Sequence, residues 1–187
     1  MQDAIILKAP QIITDRLILE PLTSEDAEQI QRVFPRWEIV RYLIASVPWP
    51  YPEGAARHYV DNVALPAANA GTGWYWTLRR KEDAQQLIGV ICLMDVADNN
   101  RGFWLVPEWQ GQGYMREASN AVTDFWFTEL NKTVLRAPKA AANERSKNLS
   151  VCTGMTLVRR EKAHYVVGEL ETEVWEITRQ DWLAQRR

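Results

Sequence analysis

The sequence predicts a mixed α/β fold of the α+β type, with one central, mostly antiparallel sheet and helices on both faces. Three observations carry this. Three strand-like runs follow one another between Gly73 and Val106, joined by short polar links, as in a meander. Segments with helical periodicity flank that meander on both sides. Two further β-rich runs close the chain around Gly168. The length, 187 residues with 47% hydrophobic and 25% charged, suits a single domain spanning 1–187 with a sizeable core.

The elements follow in order. Ile13–Leu22 (ITDRLILEPL) reads as a strand ending at Pro21. Thr23 then caps a helix, with Glu25 and Asp26 in the first turn, where negative charge suits the macrodipole. Ala27, Ile30, Val33 and Phe34 supply its apolar face. From Arg36 to Glu53 the chain is irregular, because Pro48, Pro50 and Pro52 forbid a continuous helix or central strand. A second helix is expected from Glu53 to Leu65, stopped by Pro66. The meander strands are Gly73–Arg80, Leu87–Val96 and Arg101–Val106, the second apolar on both faces. A long helix follows at Tyr114–Leu130, with Met115, Ala118, Val122, Phe125 and Trp126 on one side. Then come a strand at Thr133–Ala137 and a short helix at Glu144–Thr153 that Gly154 closes. Strands at Thr156–Val167 and Glu169–Thr178 form a hairpin at Gly168.

Composition excludes several classes. The net charge is −2, and the pairs Arg79-Arg80, Arg159-Arg160 and Arg186-Arg187 are dispersed, so no nucleic-acid partner is expected. Cys92 and Cys152 lie far apart in apolar runs without a nearby His. They read as reduced core residues of a cytoplasmic protein, with no metal site. The segment Met1–Pro10 has an acid at position 3 and only a short apolar run, so it does not read as a signal peptide. No run is long and apolar enough for a membrane span. The nine Trp are expected mainly to pack.

The stretch VPEWQGQGYMREA carries the chemistry. Gly111 and Gly113 stand directly before the long helix. The first N–H groups of a helix lack internal partners, and glycines let an anion approach them. A Walker loop would need a Gly-Lys-Ser/Thr end, and a dinucleotide fingerprint a third glycine where Arg116 stands. Neither is present.

The run GFWLVPEWQGQGYMREA closely resembles the acetyl-CoA-binding motif of the GNAT superfamily of N-acetyltransferases. Gln110, Gly113 and Met115 hold its positions, Met115 departing from the usual small residue. A second block, Asn143 to Ser146 with Leu149 and Gly154-Met155, is similar to that family's Asn-x-x-Ser…Gly-Phe helix. The opening TDRLILEPLTSEDA resembles the branch containing the ribosomal-protein N-terminal acetyltransferases. The resemblance implies a GNAT-type fold whose sheet is splayed at the acetyl-CoA site. Gly111 belongs to the turn, and the pyrophosphate is expected on the N–H groups of Gln112, Gly113, Tyr114 and Met115. The pantetheine arm is expected to pair with the backbone of Leu105 and Val106. Asn143 is expected to bind the pantetheine arm or help shape the thioester pocket, Ser146 of the same block is a cofactor-binding candidate, and Arg116, Arg145 and Lys147 are candidates for the 3′-phosphate. Acetyl-CoA is the co-substrate, no metal is expected, and the assembly is a monomer or homodimer.

Acetyl transfer needs a deprotonated amine, a donor for the oxyanion and a proton for the leaving thiolate. Many family members place a Glu before the turn; the matching position here is Asn100, which cannot act as a base. Asp98 is the nearby substitute, or else a turn residue of ADNN. The position of the family's thiol-protonating Tyr holds Ser150. His164, His58 and Glu38 complete the candidates. For the amine acceptor, a peptide or small molecule, the aromatic segment offers Trp37, Tyr42, Trp49, Tyr51 and His58, with Trp76 from the meander. The missing Glu and Tyr leave a second reading open, a module that binds acetyl-CoA without turnover.

Overall fold

The structure, a computed structural model, describes residues 7–186. The signal-peptide reading rests mostly on residues before these, and with Arg187 it lies outside the described residues. Five strands form one sheet in the order β1-β2-β3-β4-β5: Ile12–Ile13, Leu17–Pro21, Gly73–Arg80, Asp83–Met94 and Arg101–Leu105, all antiparallel. Three more form a second sheet, order β6-β8-β7: Val134–Ala140, Gly168–Thr178 and Thr156–Tyr165. The expected splay is thus a complete break in the ladder between β5 and β6.

Alternation on β3 builds a core on both faces of the first sheet. Trp74, Trp76 and Leu78 point one way, against Ala118, Val122, Phe125 and Trp126 of the long helix α5, Tyr114–Thr128. Tyr75 points the other way, into a cluster with Ile30 of α1 (Ala27–Val33), Ala56 of α3 (Ala55–Tyr59) and Val60. Each large side chain buried this way contributes about 1.5–3 kcal/mol. Thr23 and Asp26 form the expected capping box ahead of α1, the Thr23 N–H donating to Asp26 Oδ2 at 2.8 Å.

Several expectations are corrected. The first strand is two, because Thr14 makes a turn: its Oγ1 accepts from Leu17 N–H (3.1 Å), and β1 folds back on β2. The Arg36–Glu53 segment contains one helical turn, α2, Trp37–Val40. Pro66 does not stop the second helix. A π-helical stretch, Val60–Ala64, widens the backbone ahead of it, and Pro66 enters α4 (Leu65–Asn69) as an early residue, where its missing N–H costs little. Strand β4 starts four residues before the expected Leu87, at Asp83, and β6 runs on to Ala140. A terminal helix α7, Arg179–Ala184, was not anticipated; Thr178 caps it, accepting from Asp181 N–H at 3.1 Å. Cys92 is buried as expected, and burial pushes its thiol up to about 11, partly offset by a hydrogen bond to Gly102 O. Cys152 is exposed, on the outer side of α6, Glu144–Cys152. Among the described residues no helix is long and apolar enough to cross a membrane.

Candidate functional site

The break between the sheets follows from the two strand edges that face it. Val106 N–H bonds Ile88 O (2.8 Å) and Met94 N–H bonds Asn100 O (3.0 Å). These two bonds fix the β4–β5 parity and turn the backbone groups of Phe103 and Leu105 toward the gap. Across it, Arg179 N–H bonds Thr133 O (2.9 Å), so Val134, Arg136, Pro138 and Ala140 turn their backbone to the gap. Pro138 has no N–H to give, which suits an edge that does not zip closed. The expectation for Val106 is corrected: its N–H is in the ladder and its C=O accepts from Trp109 N–H at 3.0 Å. Phe103 and Leu105 are the gap-facing pair. The Leu105 carbonyl accepts from Gln110 Nε2 (2.7 Å), so Gln110 ties the turn to the strand edge.

Asn100 latches the closed end of the gap. Its N–H donates to Arg136 O (2.7 Å) and its Oδ1 accepts from Arg136 N–H (2.8 Å). Its Nδ2 donates to Met94 O (3.2 Å) and Val96 O (2.9 Å). With every polar atom committed, Asn100 holds the two sheets together and is not a reacting group. Asp98, at φ 62°, pairs with Arg136 (2.8 Å) and Arg159 (3.2 Å). Hydrogen bonds from Arg136 and then Arg159 hold its carboxyl below the usual range, which makes it a poor base. It is the turn residue of ADNN.

At the open end lies the glycine turn. Gly111 and Gly113 have φ of 77° and 84°. Among the described residues, the N–H groups of Gly111, Gln112, Gly113, Tyr114, Met115 and Arg116 have no acceptor. A Cβ on Gly111 would meet nothing within 4 Å, so the turn is not covered there by another part of the chain. This cradle fits a diphosphate, the part of acetyl-CoA expected there. Met115 packs its side chain on the core, leaving its N–H outward. Arg116 is exposed and has no ion-pair partner among the described residues. Arg145 hydrogen-bonds Gln110 Oε1, and Lys147 pairs with Glu144 at 3.2 Å. Asn143 Oδ1 caps α6 through Ser146 N–H (3.3 Å), and Ser146 is buried beneath it.

The sequence reading missed the clamp on this turn. Arg16 donates through Nη1 to Gln112 O (2.9 Å), lies over the Tyr114 ring (4.3 Å), and pairs with Glu117 (2.8 Å). Glu117 also accepts from Thr14 Oγ1 (2.6 Å) and Arg16 N–H (2.7 Å). Burial pushes the Glu117 carboxyl up, but the bonds from Thr14 and Arg16 outweigh it and leave it below its ordinary value. Glu117 therefore stabilises the fold above the ordinary carboxylate range, and that stability is lost as acid protonates it. Glu117→Gln should cost about 1–2 kcal/mol at neutral pH, with the gap to wild type shrinking toward pH 3 in urea titrations.

The acceptor candidates divide. Trp37 and Trp49 lie against each other, tilted by 46° with centroids 5.6 Å apart, and both are about 40% exposed. Tyr42 lies against Arg41 (4.7 Å). Tyr51 packs on Phe34 (5.0 Å), which packs on Trp104 (5.1 Å), so an aromatic chain leads from this loop to β5, the strand that borders the gap. Burial pushes the Tyr51 phenol up to about 12. Backbone bonds Ala45 N–H to His164 O (3.1 Å) and Val166 N–H to Leu43 O (3.0 Å) staple the loop to the β7–β8 hairpin. Trp76 cannot meet an acceptor, contrary to expectation: it is 0% exposed in the core, its Nε1 bonded to Pro10 O at 2.7 Å. His164 is exposed on β7, two strands from the gap, its imidazole 3.8 Å from Glu169. His58 is exposed on α3 and bonds Asn62 at 3.2 Å. Neither imidazole lines the break.

Ser150 is fully buried on α6, and Lys139 of β6, absent from the sequence-based candidates, donates to its Oγ at 2.5 Å. Parity would have found it, since Leu135, Ala137 and Lys139 alternate onto the buried side of β6.

Comparison with known proteins agrees with this geometry. Residues 16–156 match the family model described as an acetyltransferase (GNAT) domain. The chain is 29% identical over 153 residues to the uncharacterized N-acetyltransferase YoaA of Bacillus subtilis (strain 168), covering 78% of this chain and 82% of YoaA. Among solved structures it is similar to a ribosomal-protein-S5-alanine acetyltransferase from Vibrio fischeri, with a TM-score of 0.77 at 18% identity over 92% of this chain and 98% of that one. It is also similar to RimL, a ribosomal L7/L12 α-N-protein acetyltransferase in complex with coenzyme A, with a TM-score of 0.76 at 14% identity over 89% of this chain and 96% of that one.

Proposed function

This chain belongs to the GNAT acetyltransferase family and is an acetyl-CoA-dependent N-acetyltransferase; from that premise we propose that it acetylates the α-amine of a peptide, by direct attack in a ternary complex. The observation that carries this reading is the gap between β5 and β6, with the open N–H cradle at one end and the stapled aromatic loop beside it. The Gly111–Arg116 amides and the Arg16 guanidinium hold the diphosphate. The Phe103 and Leu105 backbone pairs with the pantetheine amides as an added strand would. The Trp37–Trp49 pair receives the cationic amine before it loses its proton. Much of the rate comes from holding amine and thioester in line. Branch resemblance supports a peptide over a free amino acid or polyamine.

The test is release of CoA thiol with short peptides of varied N-terminus, free amino acids and a polyamine. Turnover fastest with peptides is expected. Turnover confined to small amines would overturn the peptide assignment. Tight acetyl-CoA binding with no acceptor among them would favour a sensor. Trp37→Ala should raise the KM for the peptide about 10-fold and leave acetyl-CoA affinity unchanged by calorimetry.

A further inference from the structure

Each strand that borders the gap buries a cation. Arg101 of β5 is 3% exposed, and Lys139 of β6 is 5% exposed. Arg101 reaches α5, donating through Nη1 to Thr123 Oγ1 (3.1 Å), and donates through Nη2 to Met155 Sδ (3.2 Å). Lys139 Nζ reaches α6 and donates to Ser150 Oγ (2.5 Å). These contacts join up. Met155 N–H bonds Ser150 O (3.0 Å), and Thr123 Oγ1 donates to Ser119 O (2.6 Å). One unbroken circuit therefore runs from Lys139 through Ser150, Met155, Arg101 and Thr123 to Ser119. It holds more donors than acceptors. Arg101 Nε and Ser119 Oγ are buried without a partner among the described residues. Lys139 has three donors and uses one of them within that set, and the Ser150 hydroxyl hydrogen meets no acceptor in it. Glu173 of β8 faces Lys139 across the ladder, 3% exposed, but Arg160 of β7 (3.1 Å) and Trp175 Nε1 (3.2 Å) hold its carboxylate. No carboxylate among the described residues lies within ion-pair distance of Arg101 or Lys139. Burial first, and then the Arg101 cation, pull the Lys139 ammonium down to about 7, with Glu173 opposing; burial pulls Arg101 down to about 10. Buried cations with spare donors and no counter-ion are costly unless an anion joins them.

We propose that this cluster binds one small monovalent anion, a halide, between Arg101 and Lys139, with the hydroxyls of Ser119 and Ser150 as further donors. The inference stands apart from the acetyl-transfer reading, because no residue of the cluster belongs to the Gly111–Arg116 cradle. A halide is spherical and takes donors from several directions, which suits groups supplied by two strands and two helices. Its single charge lets both cations keep their protons, where a divalent anion would overcompensate them. The surroundings favour a weakly hydrated ion. Met155 Sδ lies against Arg101, and the buried Ala137 is next to Lys139 on the same face of β6. The anion prefers the protonated form of Lys139, whose ammonium without it titrates at about 7. Affinity is therefore full below that value and falls as pH rises above it. Arg101 stays charged throughout that range.

The test is thermal unfolding of the full chain in sodium bromide against sodium gluconate at equal ionic strength, with and without saturating CoA. Bromide at about 0.2 M should raise the midpoint by about 3–6 °C. The rise should be larger at about pH 6 than at about pH 9. It should persist in CoA, whose diphosphate occupies the glycine turn. Lys139→Met should reduce it at least about threefold. Crystals of the wild type grown in bromide should show an anomalous scattering peak between Lys139 Nζ and Arg101 Nε. Should Lys139→Met fail to fold, the wild-type pH dependence and the anomalous peak decide without it. Equal midpoints in the two salts at both pH values would overturn the site. So would a water molecule in place of the anomalous peak. A rise that CoA abolishes would place the bromide on the glycine turn and overturn the site as well.

Discussion

Gly113→Val is expected to abolish acetyl-CoA binding, weakening it by roughly 100-fold or more, which is about 2.7 kcal/mol. Two effects add. At φ 84° a β-branched residue costs on the order of 1–3 kcal/mol, which the chain avoids by re-forming the helix entrance. That entrance is what aligns the amides of Gln112 to Arg116 on one point. The new Cβ would also stand 3.2 Å from Arg16 Nη2 and push the clamp away from the turn. Gly111→Ala makes the contrast. Its φ is also positive, 77°, but the added Cβ meets nothing within 4 Å, so a smaller loss of affinity is expected. Calorimetry with acetyl-CoA reads both, and far-ultraviolet circular dichroism confirms that each variant is folded. Equal affinity in Gly113→Val and wild type would mean that the diphosphate does not rest on this turn.

The turn was legible because its signal is local. Two glycines one residue apart, a helix pattern after them and strands before them lie within one window of sequence. The Arg16–Glu117 clamp was not, since its partners stand 101 positions apart and neither is unusual alone. Other misreadings came from reading composition where parity governs. By composition Trp76 belongs with the loop aromatics, although it alternates in phase with Trp74 and Leu78 on the core face of β3. Lys139 lies beyond the expected strand end at Ala137, and only the longer strand, Val134–Ala140, puts it in phase with the buried Leu135 and Ala137. Proline breaks a regular α-helix, so Pro66 reads as a stop, and a π-helical turn ahead of it removes that conflict. Family resemblance led to Asn100 by its position, but not to its task. An asparagine there raised the question of a missing base. The geometry answers that the amide is needed for joining two sheets, which a carboxylate, having no donors, could not do in the same way.

That joining role gives the second large effect. Asn100→Leu should lower unfolding stability by about 2–4 kcal/mol. Leucine fills similar volume but strands Arg136 N–H and the carbonyls of Met94 and Val96, all of which now bond the Asn100 side chain. Urea denaturation measures the loss. The consequence for the site is separate. Between β5 and β6 the only backbone bond among the described residues is Asn100 N–H to Arg136 O, and the side chain doubles it. With the side chain gone, the strands are free to part further along the gap, and Phe103 and Leu105 no longer face β6 at a set spacing. Acetyl-CoA affinity of the folded variant should therefore fall about 10-fold, although Asn100 is at the far end from the glycine turn and belongs to no part of the cradle. Asn100→Asp keeps the acceptor for Arg136 N–H while losing both donors, so it should fall between leucine and wild type in stability. If both variants lose stability yet bind acetyl-CoA as wild type does, the width of the gap is set by the helices packed across it, and the latch serves folding alone.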